Sequence, residues 1–203
     1  MNILLEILNN RAIVAAITAW AIARGGTRLF KAARIYFLIG ILIPAQALCL
    51  PIYLLWNSMG LINSRVGLIA LYVSTGLSFG IFLQTNYMKT VPIDIEEAAK
   101  IDGCTEFKAF WRVVFPLLGP CTASLVVLNG LSIWNDFLMP YLALPSNQAK
   151  TITVAVYSFV GQYTARWDIV FAGTLISLVP ALIIYVSLQK YFVKGIMSGA
   201  AKG

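Results

Sequence analysis

Glu96, Glu97, Asp102 and Glu106 are four of the chain's eight acidic residues, and they crowd into one stretch, EEAAKIDGCTEFKAFWRVVFPLLGP, that begins at Glu96. Carboxylates gathered this closely do acid–base work or hold metals when imidazoles or thiolates complete the set. Here nothing completes it. The chain contains no histidine, and Cys49, Cys104 and Cys121 have neither metal-ligand spacing nor a disulfide pattern. Imidazole triads and zinc hydrolysis are therefore excluded. Without a G-x-x-x-x-G-K-S/T loop, the chain also has no phosphate cradle of that type for ATP. A second group, Trp134-Asn135-Asp136, combines an aromatic face, an amide and a carboxylate. These side-chain types recognise hydroxyl-rich ligands, and a carboxylate near membrane depth is a functional candidate. Trp134 could equally anchor a helix at the membrane interface.

The elements that must position these groups are apolar helices. Hydrophobic residues make up 60% of the 203 positions and charged residues 11%, with a mean hydropathy of +0.82; soluble domains are roughly 45–50% apolar and about 25% charged. A chain this short cannot bury several uncharged runs of spanning length in one water-soluble core. A crossing helix takes about 20 apolar residues. The pattern predicts spans over residues 35–56, 66–88, 117–140 and 169–189, and a less regular one over 3–23 in which Glu6 and Arg11 must lie near an interface or face protein. An interfacial helix is the alternative for that first run.

Basic residues orient the bundle. Arg24, Arg28, Lys31 and Arg34 follow the first run; Lys89, Lys100, Lys108 and Arg112 surround the acidic stretch; Lys190, Lys194 and Lys202 follow the last run. Short basic loops stay cytoplasmic, which places residues 89–116 and the tail 190–203 inside and the N-terminus outside. The net charge of +7 is thus accounted for by membrane orientation. No soluble basic face with interleaved aromatics exists for nucleic acid.

Within the acidic stretch, Pro92 ends the preceding helix, and Asp94 with Glu97 three residues later has capping-box spacing. A short helix is predicted from about residue 95 to 102. Gly103 then permits a turn, and Thr105 caps a second helix over 106–115. Pro116 and Pro120 mark the bend into the next span. The small Ala98 and Ala99 allow close approach by another surface. On residue types alone, this helix–hinge–helix suits either a partner's groove or the lipid surface.

The pattern Glu97-Ala98-Ala99, Asp102-Gly103, Phe110, Val113 and Phe115-Pro116 resembles the EAA motif of permease subunits of ATP-binding-cassette importers, with the glycine and proline spacings met. Val113, Phe115 and Cys104 are mild departures from the usual isoleucine, leucine and alanine. Trp134-Asn135-Asp136-Phe137 looks like the W-N-D/E/N-F signature of the carbohydrate-importer permeases. The ending QKYFVKGIMSGAAKG and the segment FVGQYTARW are similar to the smaller-permease type of the maltose importer family. The resemblance weakens before Ala19, where the family's first span and cytoplasmic N-terminus are not matched, so an N-terminal truncation is expected.

The resemblance implies an all-α polytopic bundle of the type I importer permease fold, a single domain with about five spans here against six in the family. It implies a multi-pass protein of a bacterial or archaeal plasma membrane that forms half of a pathway for a sugar or oligosaccharide. Glu97, Ala98, Ala99, Asp102, Gly103, Phe110 and Pro116 would form the coupling helix and its joint. Trp134, Asn135 and Asp136 would lie on the translocation pathway, by contact with solute or as a structural gate, and Gly199, Lys202 and Gly203 would face the ATPase. The implied partners are a second homologous permease, an ATPase dimer that holds ATP and magnesium, an extracytoplasmic solute-binding protein, the sugar, and membrane lipid. No cofactor belongs to the chain itself, and it is not expected to be an enzyme. Another solute such as glycerol phosphate, or a non-transporting scaffold or remnant, are the alternatives. The amphipathic spacing of Ile152, Val156, Phe159, Val160 and Tyr163 predicts a helix lying outside, toward a binding protein or as a cap on the bundle.

Overall fold

A computed structural model describes the backbone of residues 2–146, 150–161 and 166–200, with side chains over 3–146, 150–161 and 166–187. Among the described residues every regular element is helical. In chain order these are α1 (Asn2–Arg24), α2 (Arg28–Leu42), a 3-10 turn (Ala45–Leu48), α3 (Cys49–Ser58), α4 (Arg65–Met88), α5 (Ile93–Ile101) and α6 (Glu106–Ala109). A π-helical turn (Phe110–Val114), α7 (Phe115–Leu117), α8 (Gly119–Asn135), α9 (Leu138–Ala143), α10 (Ile152–Tyr157) and α11 (Trp167–Ala200) complete the series.

Among the described residues, Ile3–Arg24, Arg65–Met88 and Trp167–Ser187 are each long and apolar enough to cross a bilayer. Two further crossings arise only if bent pairs count as one span: Arg28–Leu42 with Ala45–Ser58, bent by 94°, and Glu106–Leu117 with Gly119–Asn135, bent by 68°. The run read from sequence as one span over 35–56 is therefore divided. The cause is local: Pro44 has no N–H to continue α2, disfavours helical geometry in the residue before it, and itself sits extended at φ −61°, ψ 127°. Pro51 falls in the first turn of α3, where a missing N–H costs nothing. The run over 117–140 is likewise interrupted, between Asn135 and Leu138. In contrast, α11 continues through Pro180.

The described residues pack as two compact units. One draws on Ile43–Thr75 and Leu128–Leu188 with the start of α1. Its core is Ile7, Leu68, Leu71, Tyr72, Met139, Ala143 and Leu144. The other draws on Asn9–Leu42 and Gly76–Val127. It holds one cluster around Ala16, Met88, Phe110, Val114 and Leu118, and a second around Ala15, Ile22 and Ile81. The span in α11 is almost wholly exposed, with Phe171, Leu175, Ile176 and Ile183 each more than half uncovered. In hydrocarbon such a surface is stable against lipid or another helix.

Small residues on α4 let α1 approach. Gly80 lies against Ala15 and Leu125, and a Cβ built on Gly76 would overlap the guanidinium of Arg11. Arg11 is only 6% exposed, so α1 carries its mid-helix charge against protein, while Glu6 is exposed. Gly76→Ala forces this buried arginine to move. Overpacking of this kind costs about 1–3 kcal/mol, offset by about 1 kcal/mol of better helix propensity. We expect a lowered apparent melting temperature for the purified protein in detergent, measured by tryptophan fluorescence; an unchanged or raised value would contradict the packing.

Candidate functional site

The acidic stretch folds into a fastened helix followed by a joint. Helix α5 starts two residues earlier than the capping-box spacing predicts. Pro92, extended at φ −60°, ψ 138°, takes the N-cap position, and no side chain caps it. Asp94 therefore lies inside the first turn, where a carboxylate still suits the positive end of the helix dipole. Proline wins because its fixed φ already matches a helix entry.

At its other end α5 closes in a Schellman turn. Gly103 N–H donates to the Lys100 carbonyl at 3.0 Å, and Cys104 N–H donates to the Ala99 carbonyl at 3.0 Å. That geometry requires a left-handed residue, and Gly103 sits at φ +85°. Thr105 then caps α6, its Oγ1 accepting from Lys108 N–H at 3.3 Å. Across the joint, Lys100 Nζ donates to Glu106 Oε1 at 2.6 Å. This hydrogen bond raises the Lys100 pKa and lowers that of Glu106. Both side chains are exposed, so solvent and salt screen the pair.

One face of α5 is tied down by Glu96, which is 6% exposed. Arg24 Nη2 approaches Glu96 Oε1 at 2.6 Å, Arg24 Nε–H donates to the same oxygen at 2.8 Å, and Trp20 Nε1–H donates to Oε2 at 3.0 Å. Arg24 also donates from Nη2 to the Val91 carbonyl at 2.9 Å. Beyond the joint, Phe110 is fully buried with its ring centroid 5.0 Å from that of Trp20. A single α1 residue, Trp20, thus holds both sides of the joint. Trp20, Arg24 and Glu96 are the residues that sequence reasoning missed. The spacing of Trp20 and Arg24, one helical turn apart on α1, puts them on one face but does not point to Glu96 as their partner.

The opposite face is open. Glu97, Ala98, Ile101 and Asp102 are exposed, with Ile101 at 86% and Phe107 of α6 at 62%. The other residues singled out from sequence divide accordingly. Ala99 and Phe110 are buried and belong to the packing, while Pro116 is exposed in α7, before the 68° bend.

Trp134, Asn135 and Asp136 do not converge. Asn135 and Asp136 line a cavity of about 480 Å³ with Gln46, Ser132, Leu138 and Met139, whereas Trp134 lines a separate cavity of about 370 Å³ with Arg65, Tyr72 and Lys150. Trp134 Nε1–H donates to the Ser177 carbonyl at 3.0 Å, joining α8 to α11. Asp136 closes the break between α8 and α9. Its Oδ1 accepts from Leu138 N–H at 3.0 Å and its Oδ2 from the Tyr72 hydroxyl at 2.8 Å, while its backbone carbonyl accepts from Thr153 Oγ1 at 2.8 Å. Of the segment expected to lie outside, Ile152–Tyr157 is helical with Val154 buried; Tyr163 lies outside the described residues. Gly199 falls near the end of α11, and Lys202 and Gly203 lie outside the described residues.

Comparison with known proteins agrees with this architecture. Residues 12–198 match the family described as binding-protein-dependent transport system inner membrane component. The chain is 34% identical over 191 residues to the "Probable starch degradation products transport system permease protein AmyC" of Thermoanaerobacterium thermosulfurigenes, covering 94% of this chain and 69% of that protein. It is 32% identical to the melibiose/raffinose/stachyose import permease protein MelC of Bacillus subtilis, covering 94% and 70%. Among solved structures, a bacterial transporter that imports the acidic polysaccharide alginate has a chain that superposes with a TM-score of 0.79 at 22% identity, covering 93% of this chain and 71% of that one. The inward-facing methionine transporter MetNI gives a TM-score of 0.58 at 13% identity. A helical bundle with several membrane-crossing elements, matched over nearly its whole length, places this chain in the family of binding-protein-dependent transport system inner membrane components, the permease subunits of ATP-binding-cassette importers.

Proposed function

We propose that the chain forms half of the membrane pathway of an ATP-driven importer of sugars or oligosaccharides, and that α5 with its glycine joint transmits the motion of a separate ATPase dimer to the bundle. The observation that carries this reading is the two-faced character of α5. Glu96 fastens one face to Trp20 and Arg24, while Glu97, Ala98 and Ile101 stand exposed on the other. A helix held on one side and bare on the other is built to receive a groove. The names of AmyC and MelC supply the solute class. The crowding of basic residues around the joint favours a cytoplasmic position for it.

In this reading ATP and magnesium sit in the partner, which supplies the energy. Closure of the ATPase dimer carries α5 with it, and the tie through Glu96 and Phe110 to Trp20 passes the displacement to α1. The bundle then exchanges between two arrangements that open the pathway to opposite sides. A second permease completes the pathway, and an extracytoplasmic binding protein delivers the solute. Asp102 and Gly103 shape the joint, Pro116 stands before the bend into α8, the tail that includes Gly199, Lys202 and Gly203 faces the ATPase, and the Asn135–Asp136 cavity belongs to the pathway.

Glu97→Lys reverses a charge on the open face without touching the fastened one. We expect loss of sugar-stimulated ATP hydrolysis and of uptake in proteoliposomes, with the chain still inserted in the membrane and still paired with its companion permease. Normal uptake by the purified variant complex would overturn the docking role.

A further inference from the structure

The cavity beside the α8–α9 break has a chemistry more specific than its size. At about 480 Å³ it falls within the roughly 300–1,000 Å³ typical of ligand pockets. Gln46 reaches it from the 3-10 turn that follows the bend at Pro44, and Ser132 and Asn135, one helical turn apart, reach it from α8. All three are exposed. Among the described residues, neither the Gln46 amide nor the Ser132 hydroxyl has a hydrogen-bond partner. Asn135 spends one amide hydrogen on the Leu131 carbonyl at 2.9 Å, and its own carbonyl oxygen is unpaired among the described residues. The 3-10 turn and α8, which carry these groups, are predominantly apolar and hold no charged residue. Hydrocarbon would leave them unsatisfied, so this face meets water or a polar solute.

The charges matter as much as the polar groups. Among the described residues, no lysine or arginine lines the cavity. The one carboxylate among the described lining residues, that of Asp136, already accepts from Leu138 N–H and Tyr72 OH. What remains is a set of neutral donors and acceptors beside Leu138 and Met139, which offer an apolar surface for the C–H face of a ring. A phosphate or a uronate would meet a carboxylate here and no cation to pair with.

We infer that this chain itself contributes a solute subsite, formed by Gln46, Ser132 and Asn135, that accepts a neutral sugar and selects against phosphorylated or acidic ones. The inference rests on the carbohydrate-import reading, and the following experiment separates the two. The complete importer, with its binding protein, is reconstituted in liposomes and offered raffinose and maltotriose as neutral probes, and glycerol 3-phosphate and glucuronate as anionic ones. In parallel, Ser132→Cys is introduced after Cys49, Cys104 and Cys121 are replaced by serine, and its labelling by a water-soluble methanethiosulfonate is timed with and without each probe.

The expected result is uptake of a neutral probe, slower labelling at position 132 in its presence, and no protection by either anion. Gln46→Leu and Asn135→Leu should each raise KM for uptake about fivefold, the loss of roughly one net hydrogen bond. Neutral uptake without protection and with unchanged KM would overturn the subsite and leave the import reading standing. The subsite also falls if pairing with the second permease alone blocks labelling, because the cavity is then a seam between subunits. Uptake of an anionic probe only, or of none, would overturn the carbohydrate reading and the subsite together.

Discussion

Glu96→Ala is expected to abolish coupled transport, although Glu96 is not on the face offered to a partner. Its removal leaves the Arg24 guanidinium and the Trp20 N–H facing a partly buried site without their carboxylate. Breaking a buried pair from one side costs about 3–5 kcal/mol. Even the lower figure, about 3 kcal/mol, is on the order of a hundredfold in the population of the seated helix. The expected readout is a fall of tenfold or more in solute uptake and in solute-stimulated ATP hydrolysis by reconstituted complexes, on the scale set by that population change. Glu96→Gln should fall between the two, since an amide oxygen still accepts from Trp20 but carries no charge for Arg24. Wild-type uptake by the alanine variant would show that α5 is held by something other than this tie.

Gly103→Pro is expected to have the next largest effect, and the reason is purely one of backbone. Gly103 sits at φ +85°, and a Cβ there would meet nothing within 4 Å, so the cost of substitution is not steric crowding by neighbours. Proline is locked near −65° and cannot make the Schellman bond to the Lys100 carbonyl. The turn must open, at about 3 kcal/mol or more. A graded series distinguishes this from a general intolerance. Asparagine, which visits the left-handed region readily, should retain the most uptake. Alanine should lose an amount corresponding to about 1–2 kcal/mol, and proline should lose essentially all. Equal activity across asparagine, alanine and proline would remove the joint from the mechanism.

Much of this segment is legible in the order of residues because its determinants are local. A glycine six positions after a glutamate, followed by a threonine two later, specifies a left-handed C′ residue and a new N-cap. The structure places Gly103 at φ +85° and gives Thr105 the capping bond. The capping-box reading of Asp94 failed for an equally local reason: proline two residues earlier offers a competing helix entry that needs no side-chain bond. The bend after Leu42 is foreshadowed by Pro44, but its angle of 94° is not, because a proline dictates where a helix stops and not where the chain goes next. The tie among Trp20, Arg24 and Glu96 could not be read at all. Glu96 lies more than 70 positions from both Trp20 and Arg24, and taken singly the three resemble an interfacial tryptophan, a topogenic arginine and a first-turn acid. Asp136 shows the converse. Its type suggested a ligand contact, yet pairing with Tyr72 and the Leu138 amide gives it a structural task, which only the folded arrangement reveals.

The claim on which the rest depends is that the open face of α5 lies inside the cell against a nucleotide-hydrolysing partner. It is tested most directly by Ala98→Cys, in a chain with its native cysteines replaced by serine, paired with cysteines along the surface groove of the co-purified ATPase. Ala98 is exposed and lies between the fastened Glu96 and the joint at Gly103. The account predicts a rapid oxidative crosslink to the ATPase in inverted membranes, with a yield that changes between the nucleotide-free and ATP-bound states. Labelling of position 98 by an impermeant thiol reagent from the outside of intact cells, or the absence of any crosslink in either nucleotide state, would contradict it.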